Sequence, residues 1–405
     1  MTRHGDRWGL RASALFDGCA LHRGRPLVVV EGDRIADVDL SGADPSSDLP
    51  VADLGDATVL PGLVDSHAHL TFDPHGDVPS QMREESDDFL RALARRHARQ
   101  ALDAGITTVR DLGDRGYVCT EVRDSKDEEL PEILVAGPPI TRTGGHCWFL
   151  GGETDGVDGL VAAVRERARR GVDVVKIMAT GGMLTPQWDS HESQYSREEL
   201  AAVVRTAHAE GLPVTAHAHG LQGLADAAGA GVDGVEHCTF LTETGAVPDW
   251  ATIEALCDAG TFIGVEEARL PGDDTLLPAR IRRMLEARGE YLTQMSRAGA
   301  RVVGCSDAGI NPRKPHDVLP YGVISFAHFG FSTAEALASV TETAAHACGV
   351  GDRKGRVTAG YDADLLVVAG DLSRGLEGLL NVTSVVRAGR EVRSGTGERL
   401  PIGTN

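Results

Sequence analysis

Basic residues are in short supply: 40 Lys+Arg face 60 Asp+Glu, a formal net charge of −20 over 405 residues. A surface of that sign repels a phosphate backbone, so neither nucleic acid nor an anionic membrane is expected as a partner. Long hydrophobic runs are missing as well. Hydrophobic residues make up 41% of the chain, yet no stretch approaches the roughly 18 apolar residues of a membrane helix. The opening MTRHGDRWGLRASALFDG has no apolar segment of signal-peptide length. Cysteine is sparse and follows no pattern. The seven (Cys19, Cys119, Cys147, Cys238, Cys257, Cys305 and Cys348) are odd in number and never spaced as CxxC. That spacing offers neither a disulfide framework nor a thiolate metal site, and it predicts a reduced, cytoplasmic protein.

The apolar residues that are present come in short runs. RASALF and RPLVVVEGDRIADVDL open the chain, the second with a Gly-Asp turn between β-branched stretches, and predict a β-hairpin. From about residue 59, short apolar runs alternate with amphipathic helices, expected near 86–104, 156–171, 196–211 and 333–348. Ala-Gly recurs just before the strand runs, where a glycine would end each helix. Eight strand-then-helix repeats predict an α/β fold of the (β/α)8 TIM-barrel type, with a doubly wound sheet as the alternative that periodicity leaves open. DADLLVVAGD and VTSVVRAGREVR return to strand near the end. Residues 1–59 and 349–405 are therefore expected to build a small β-sandwich domain around a barrel at 60–348. The last residues, GTGERLPIGTN, are expected to form a loose tail.

Chemistry collects where those strand runs stop. In LPGLVDSHAHL, His67 and His69 are two residues apart and so face the same side of a strand. Lys176 ends VDVVK, His217 ends LPVTAH with His219 on the same face, His237 ends VDGVEH, and Asp307 ends RVVGCSD. In a barrel these ends converge on one mouth. Each residue alone has an ordinary structural reading, as a hydrogen-bonded histidine, a snorkelling lysine or a helix-capping aspartate. Together, buried histidines, a lysine and an aspartate are costly unless paired or metal-bound. Four imidazoles and a carboxylate suit Zn2+, Mn2+ or Fe2+. An ammonium cannot ligate a metal, but a lysine that has taken up CO2 becomes a carbamate whose two oxygens can bridge two ions.

PGLVDSHAH, VVKIMATGG, TAHAHG, GVEHCT and GCSDAG resemble the metal-dependent amidohydrolase superfamily, and within it the imidazolonepropionase-like branch with its prolidase-like, Xaa-Arg carboxypeptidase-like and ochratoxinase members. GGHCWFLGGETDG and GYDADLLVV fit the same branch, and the resemblance spans nearly the whole chain. It implies that His67, His69 and Asp307 hold the more buried of two divalent metals, that His217 and His237 hold the more exposed one, and that carboxylated Lys176 bridges them. Zn2+ is the first expectation, with Mn2+, Co2+ or Fe2+ compatible. Asp307 would also shuttle protons, and His146 would contact substrate beside the scissile carbonyl. The implied activity is hydrolysis of an amide in an N-acyl amino acid or dipeptide-like small molecule with a free carboxylate, by a homo-oligomer.

Two other functions compete. A single-metal cyclic-amide hydrolase or deaminase of this superfamily often carries His-x-x-Glu after the fifth strand and lacks the lysine; here the text is His217-Ala218-His219-Gly220-Leu221. A metal-free scaffold would be expected to have lost ligands, and none is missing. Substrate contacts are expected from His219, from Arg142 (with Arg269 and Arg313 as further carboxylate clamps) and from Trp188, His191 and Tyr195 of a lid-like loop at 185–196. GVEEARLPGDD departs from the branch's habit at strand seven, and alternation lets only one of Glu266 and Glu267 face the mouth. Glu266 is assigned there as a contact for a cationic group. Alternation also points Cys238 and Cys305 away from the metals.

Overall fold

The computed structural model describes residues 7–185, 189–276 and 279–394. The expected C-terminal tail and Trp188 lie outside the described residues. The chain opens with β1 (Arg7–Arg11), β2 (Ala14–Phe16), β3 (Leu21–Arg23), β4 (Leu27–Glu31), β5 (Arg34–Asp39), β6 (Val51–Asp53) and β7 (Ala57–Pro61). β4 and β5 pair antiparallel across the Gly32-Asp33 turn, as the hairpin pattern predicts.

Eight strands of the central region follow: β8 (Leu63–Ala68), β9 (Ile106–Asp111), β10 (Glu132–Val135), β11 (Val175–Met178), β12 (Val214–Gly220), β13 (Gly234–Leu241), β14 (Phe262–Val265) and β15 (Arg301–Gly304). All are parallel to their neighbours, in a three-stranded sheet β10-β9-β8 and a five-stranded sheet β11-β12-β13-β14-β15. Parallel bridges Ala68–Ala308 and Ile140–Ile177 bring both edges of the smaller sheet against the larger one. Sequential strands are thus spatial neighbours, with no reversal of order of the kind a doubly wound sheet contains. Helices such as Asp87–Asp103, Gly156–Arg169 and Arg197–Ala209 connect them, each within two residues of its expected limits. The near-continuous burial of the strand residues is what a parallel sheet covered on both faces requires.

The chain ends with β16 (Leu365–Ala369), β17 (Val382–Arg387) and β18 (Arg390–Ser394). These join the opening strands in a six-stranded sheet β18-β17-β16-β7-β2-β3, beside a four-stranded sheet β5-β4-β1-β6. Trp8, Leu10, Val28 and Ile35 of the smaller sheet share one buried cluster with Leu15, Val59, Leu365 and Val367 of the larger. Each such side chain, fully buried, contributes about 1.5–3 kcal/mol of transfer free energy.

Two differences from the sequence expectations have local causes. The run ATVLPGLVDSHAHL makes two strands rather than one, so a boundary at residue 60 falls inside β7. The break is Gly62, whose amide donates to the Asp364 carbonyl (2.9 Å). A Cβ there would meet Thr107 Oγ1 at 2.1 Å, so only glycine lets the chain pass from one unit to the next. The single helix expected near 333–348 is two, Thr333–Ala338 and Glu342–Ala347. The turn between them accepts hydrogen bonds from the strands: Gly304 N–H donates to the Ser339 carbonyl (3.0 Å) and Val64 N–H to that of Val340 (2.8 Å).

Candidate metal centre

β8, β11, β12 and β13 and the segments just past β8 and β15 deliver His67, His69, Lys176, His217, His219, His237 and Asp307 to one cavity of about 360 Å3. All of them but His237, which is slightly more accessible, are buried. The strand-end positions therefore come together. Ligand atoms of His67, His69 and Asp307 lie within 4.8 Å of one another, and so do those of His217, His219 and His237.

Each imidazole is held through one nitrogen, leaving the other for the centre of the site. His69 Nδ1 pairs with the Gly113 carbonyl (3.0 Å), and its Nε2 lies 3.3 Å from Asp307 Oδ1. His217 Nε2 pairs with the Gly181 carbonyl (3.0 Å), and His219 Nδ1 with Thr239 Oγ1 (2.9 Å). His67 Nδ1 faces Glu236 Oε2 (3.1 Å) and Glu266 Oε1 (3.4 Å), with its Nε2 3.6 Å from Asp307. His237 Nδ1 faces Glu266 Oε2 (3.0 Å). Fixing one nitrogen sets tautomer and ring orientation for the other, the usual arrangement behind metal-ligating histidines.

Asp307 sits at φ 52°, a left-handed conformation that aspartate tolerates better than most residues. Its amide donates to the His67 carbonyl (2.7 Å), while the Ser306 hydroxyl and amide donate to Asp65 on β8 (2.5 and 3.1 Å). Burial opposes ionisation of Asp307, but hydrogen bonding to His69 and the charges of His67 and His237 hold its carboxyl below the usual range. Burial and Lys176 pull His67 down, yet its hydrogen bonds to Glu236 and Glu266 outweigh them and raise it to about 9.

Lys176 is 1% exposed, and its Nζ has no hydrogen-bond partner among the described residues. Burial lowers its pKa against the pull of Glu236, Glu266 and Asp307, favouring the neutral amine. An orphaned buried amine facing imidazoles and a carboxylate lacks a protein partner among the described residues, and the donor set around it fits divalent metal. Nitrogen and oxygen donors of this kind are accepted by Zn2+, Mn2+ and Fe2+ alike. His146 lines the same cavity, its ring centroid 4.6 Å from that of His217. Its amide is anchored by Gln194 Oε1 (2.8 Å), its Nδ1 has no partner among the described residues, and burial with the His237 charge lowers it to about 3, so the ring is neutral.

The other expected contacts divide. Arg269 and Arg313 line the cavity and share Asp274, at 3.4 and 2.6 Å. Arg142 and Tyr195 do not line it: Arg142 reaches the Gln194 carbonyl (3.4 Å), and Tyr195 donates its hydroxyl to the Thr154 carbonyl (2.8 Å). His191 pairs with Asp189 (2.8 Å). The second half of the expected lid is tied down, with Gln194 Nε2 donating to the Met178 and Thr180 carbonyls (3.0 and 2.8 Å).

Strand seven needs correcting. β14 stops at Val265, so alternation no longer governs the next residues, and both Glu266 and Glu267 line the cavity. Glu266 is already engaged by His67, His237 and Arg288, rather than presenting a free carboxylate to a cationic substrate. Cys305 likewise lies past the end of β15 and turns towards the site, its Sγ 3.7 Å from Glu266 Oε1. Glu236 escaped the sequence reading. Its carboxylate also takes hydrogen bonds from Thr215 Oγ1 (2.6 Å) and Arg110 (3.3 Å), and it sits at about 2, burial notwithstanding. The available signal was Gly264: a Cβ there would lie 2.2 Å from Glu236 Oε2.

Residues 58–392 match the model of the amidohydrolase family. An uncharacterised protein of Mycobacterium tuberculosis is 32% identical over 375 residues, covering 90% of this chain and 91% of that one. Ochratoxinase of Aspergillus niger is 30% identical over 214 residues, 46% of this chain and 44% of that protein. The crystal structure of a Xaa-Pro dipeptidase with bound methionine in the active site superposes with a TM-score of 0.82 at 28% identity, covering 95% of this chain and 99% of that one.

Proposed function

Since this chain belongs to the amidohydrolase family, a family of metal-dependent hydrolases, we propose that it is a binuclear enzyme on a (β/α)8 barrel with a terminal β-sandwich, cleaving the amide of an N-acyl amino acid or dipeptide-like substrate. The observation that carries this reading is Lys176: an amine buried beside metal-type donors, with no hydrogen-bond partner among the described residues. As a neutral amine it attacks CO2, forming an N–C bond and releasing a proton, and the resulting carbamate replaces an uncompensated buried nitrogen with an anion.

His67, His69 and Asp307 would hold one ion and His217 and His237 the other, with Lys176 between them. When bound, the metal pair supplies a nucleophilic water at neutral pH and polarises the scissile carbonyl. Asp307, its carboxylate directed at the centre of the site, would accept the proton the nucleophile gives up and pass it to the leaving nitrogen. The neutral ring of His146 donates a hydrogen bond to the oxygen on which charge develops, an interaction of about 3 kcal/mol when well aimed. Arg269 and Arg313 carry two positive charges against one from Asp274 and attract the substrate carboxylate. Met183, Leu184 and Ile310 give the cavity apolar walls that receive the side chain next to the scissile bond. A cytoplasmic homo-oligomer remains the working expectation; among the described residues no helix is long and apolar enough to cross a membrane.

One observation favours a second reading. His219 completes a three-histidine set with His217 and His237, which suits one metal and a cyclic-amide substrate. A substrate panel separates the two. Protein purified with bicarbonate is assayed against N-acyl amino acids, dipeptides, their carboxamide-blocked forms, and imidazolones and lactams. Turnover of the first two, reduced by blocking the carboxylate, is expected; turnover of the cyclic amides alone would replace the binuclear reading.

A further inference from the structure

Behind the histidines lies a buried layer of carboxylates, Glu236, Glu266 and Glu267. Glu266 reaches ligands from both proposed sites. Its Oε2 faces His237 Nδ1 (3.0 Å) and its Oε1 faces His67 Nδ1 (3.4 Å). Oε1 also accepts the His237 backbone N–H (2.9 Å). His237 lies at φ 72°, where a non-glycine residue is strained and must be held by its surroundings. Arg288 completes the hold: it donates to the His237 carbonyl (3.1 Å) and lies 3.4 Å from Glu266 Oε2. Glu236, by contrast, reaches only one of the two histidines, His67 at 3.1 Å. Glu267 reaches neither and pairs with Arg288 Nε (3.0 Å).

We propose that Glu266 is a positioning residue shared by the two metal sites, fixing the Nδ1-protonated form of His67 and of His237 so that both present Nε2 to the centre, while Glu236 serves His67 alone. The inference rests on the binuclear reading above. One carboxylate thereby ties the affinities of both ions together, and Arg288 sets its position. A carboxylate set against the Nδ1 atoms of two imidazoles restrains each ring from flipping or changing tautomer, and losing such a partner commonly costs 10–100-fold in metal affinity.

The test loads wild-type, Glu266→Gln, Glu236→Gln and Glu267→Gln proteins with Co2+ in bicarbonate. Metal per chain and the visible absorption bands are followed as a competing chelator is added, and thermal unfolding checks the fold. Wild type is expected to hold about two ions. Glu266→Gln should weaken both by about 10–100-fold, Glu236→Gln one of them, and Glu267→Gln neither. Should Glu266→Gln fail to fold, Glu266→Asp keeps the charge opposite Arg288 but withdraws it by one methylene, and should weaken both ions to a smaller degree. Substrate KM on fully loaded protein should stay unchanged while kcat falls. The proposal is overturned if Glu266→Gln leaves both affinities intact, if it weakens only one, or if it raises KM with the metals retained, which would make Glu266 a substrate contact. A third ion in wild type, held by His67, Glu236, Glu266 and Cys305, would overturn it too. Wild type that holds only one ion defeats the binuclear reading itself, a result visible before any variant is made.

Discussion

Lys176 and Lys354 are both almost fully buried, at 1% and 5% exposure, and they stand in opposite surroundings. Lys354 lies at the end of the central strands away from the metal centre. It contacts Glu132, the first residue of β10, at 3.2 Å and Asp362 at 3.3 Å, and it makes a close ion pair with Asp364 just before β16. Arg353 joins the same acids. Burial opposes the Lys354 charge, but the three carboxylates outweigh it and raise its pKa. Lys176 has no such partner, and its pKa falls. A buried charge that is fully paired serves architecture, here fastening the terminal sheets to the central strands. A buried amine left without a hydrogen bond persists only if something else completes it. His237, Cys238, Phe240 and Asp307 also adopt left-handed φ values around the site.

Removing each lysine is the sharpest way to break this comparison. Lys176→Ala should abolish bound metal and nearly all turnover while the protein still unfolds cooperatively; if metal and activity both persist, the bridge does not exist. Asp307→Asn comes next. It should keep most of the metal and lower kcat by about 10²–10⁴-fold, and unchanged turnover would remove the proton shuttle. Lys354→Met should act in the other currency. Orphaning buried carboxylates is expected to cost roughly 3–5 kcal/mol in chemical denaturation, with kcat per folded molecule unaltered.

Acid gives a milder version of the same experiment. Burial raises Glu132, but Arg353 and Lys354 outweigh it and hold it below its ordinary value of 4.5. A depressed carboxylate stabilises the fold above the unfolded-state value and loses that contribution as pH falls through the folded one. Denaturation midpoints should therefore decline below pH 4.5, and Glu132→Gln should flatten that decline. The smallest effect belongs to Arg269→Met or Arg313→Met. Either should raise KM several-fold for carboxylate substrates and leave carboxamide-blocked ones unaffected; equal effects on both would mean that the arginines only hold Asp274.

How far the sequence reached follows from where regular structure ends. Positions inside a strand (His67, Lys176, His217, His219 and His237), with His69 just past β8, obey the two-residue period, and their convergence could be anticipated. Past the ends of β14 and β15 the period fails. Glu266 and Glu267 both turn inward, and Cys305 faces the acids rather than the core. Glu236 was hidden because it serves the site from behind, through His67, where its only trace was a glycine opposite. Arg142 and Tyr195 lie off the cavity for a different reason: loop residues choose between a cavity and the nearest carbonyl, and both bond carbonyls. The passage between the two structural units hung on one glycine inside an unbroken apolar run.

The most direct test is native mass spectrometry of the intact chain purified with bicarbonate and without chelator, followed by peptide mapping under non-acidic conditions. About two metal ions per chain and a CO2 adduct on Lys176 are predicted. About one ion with an unmodified Lys176 would contradict the binuclear centre and turn attention to the three-histidine set.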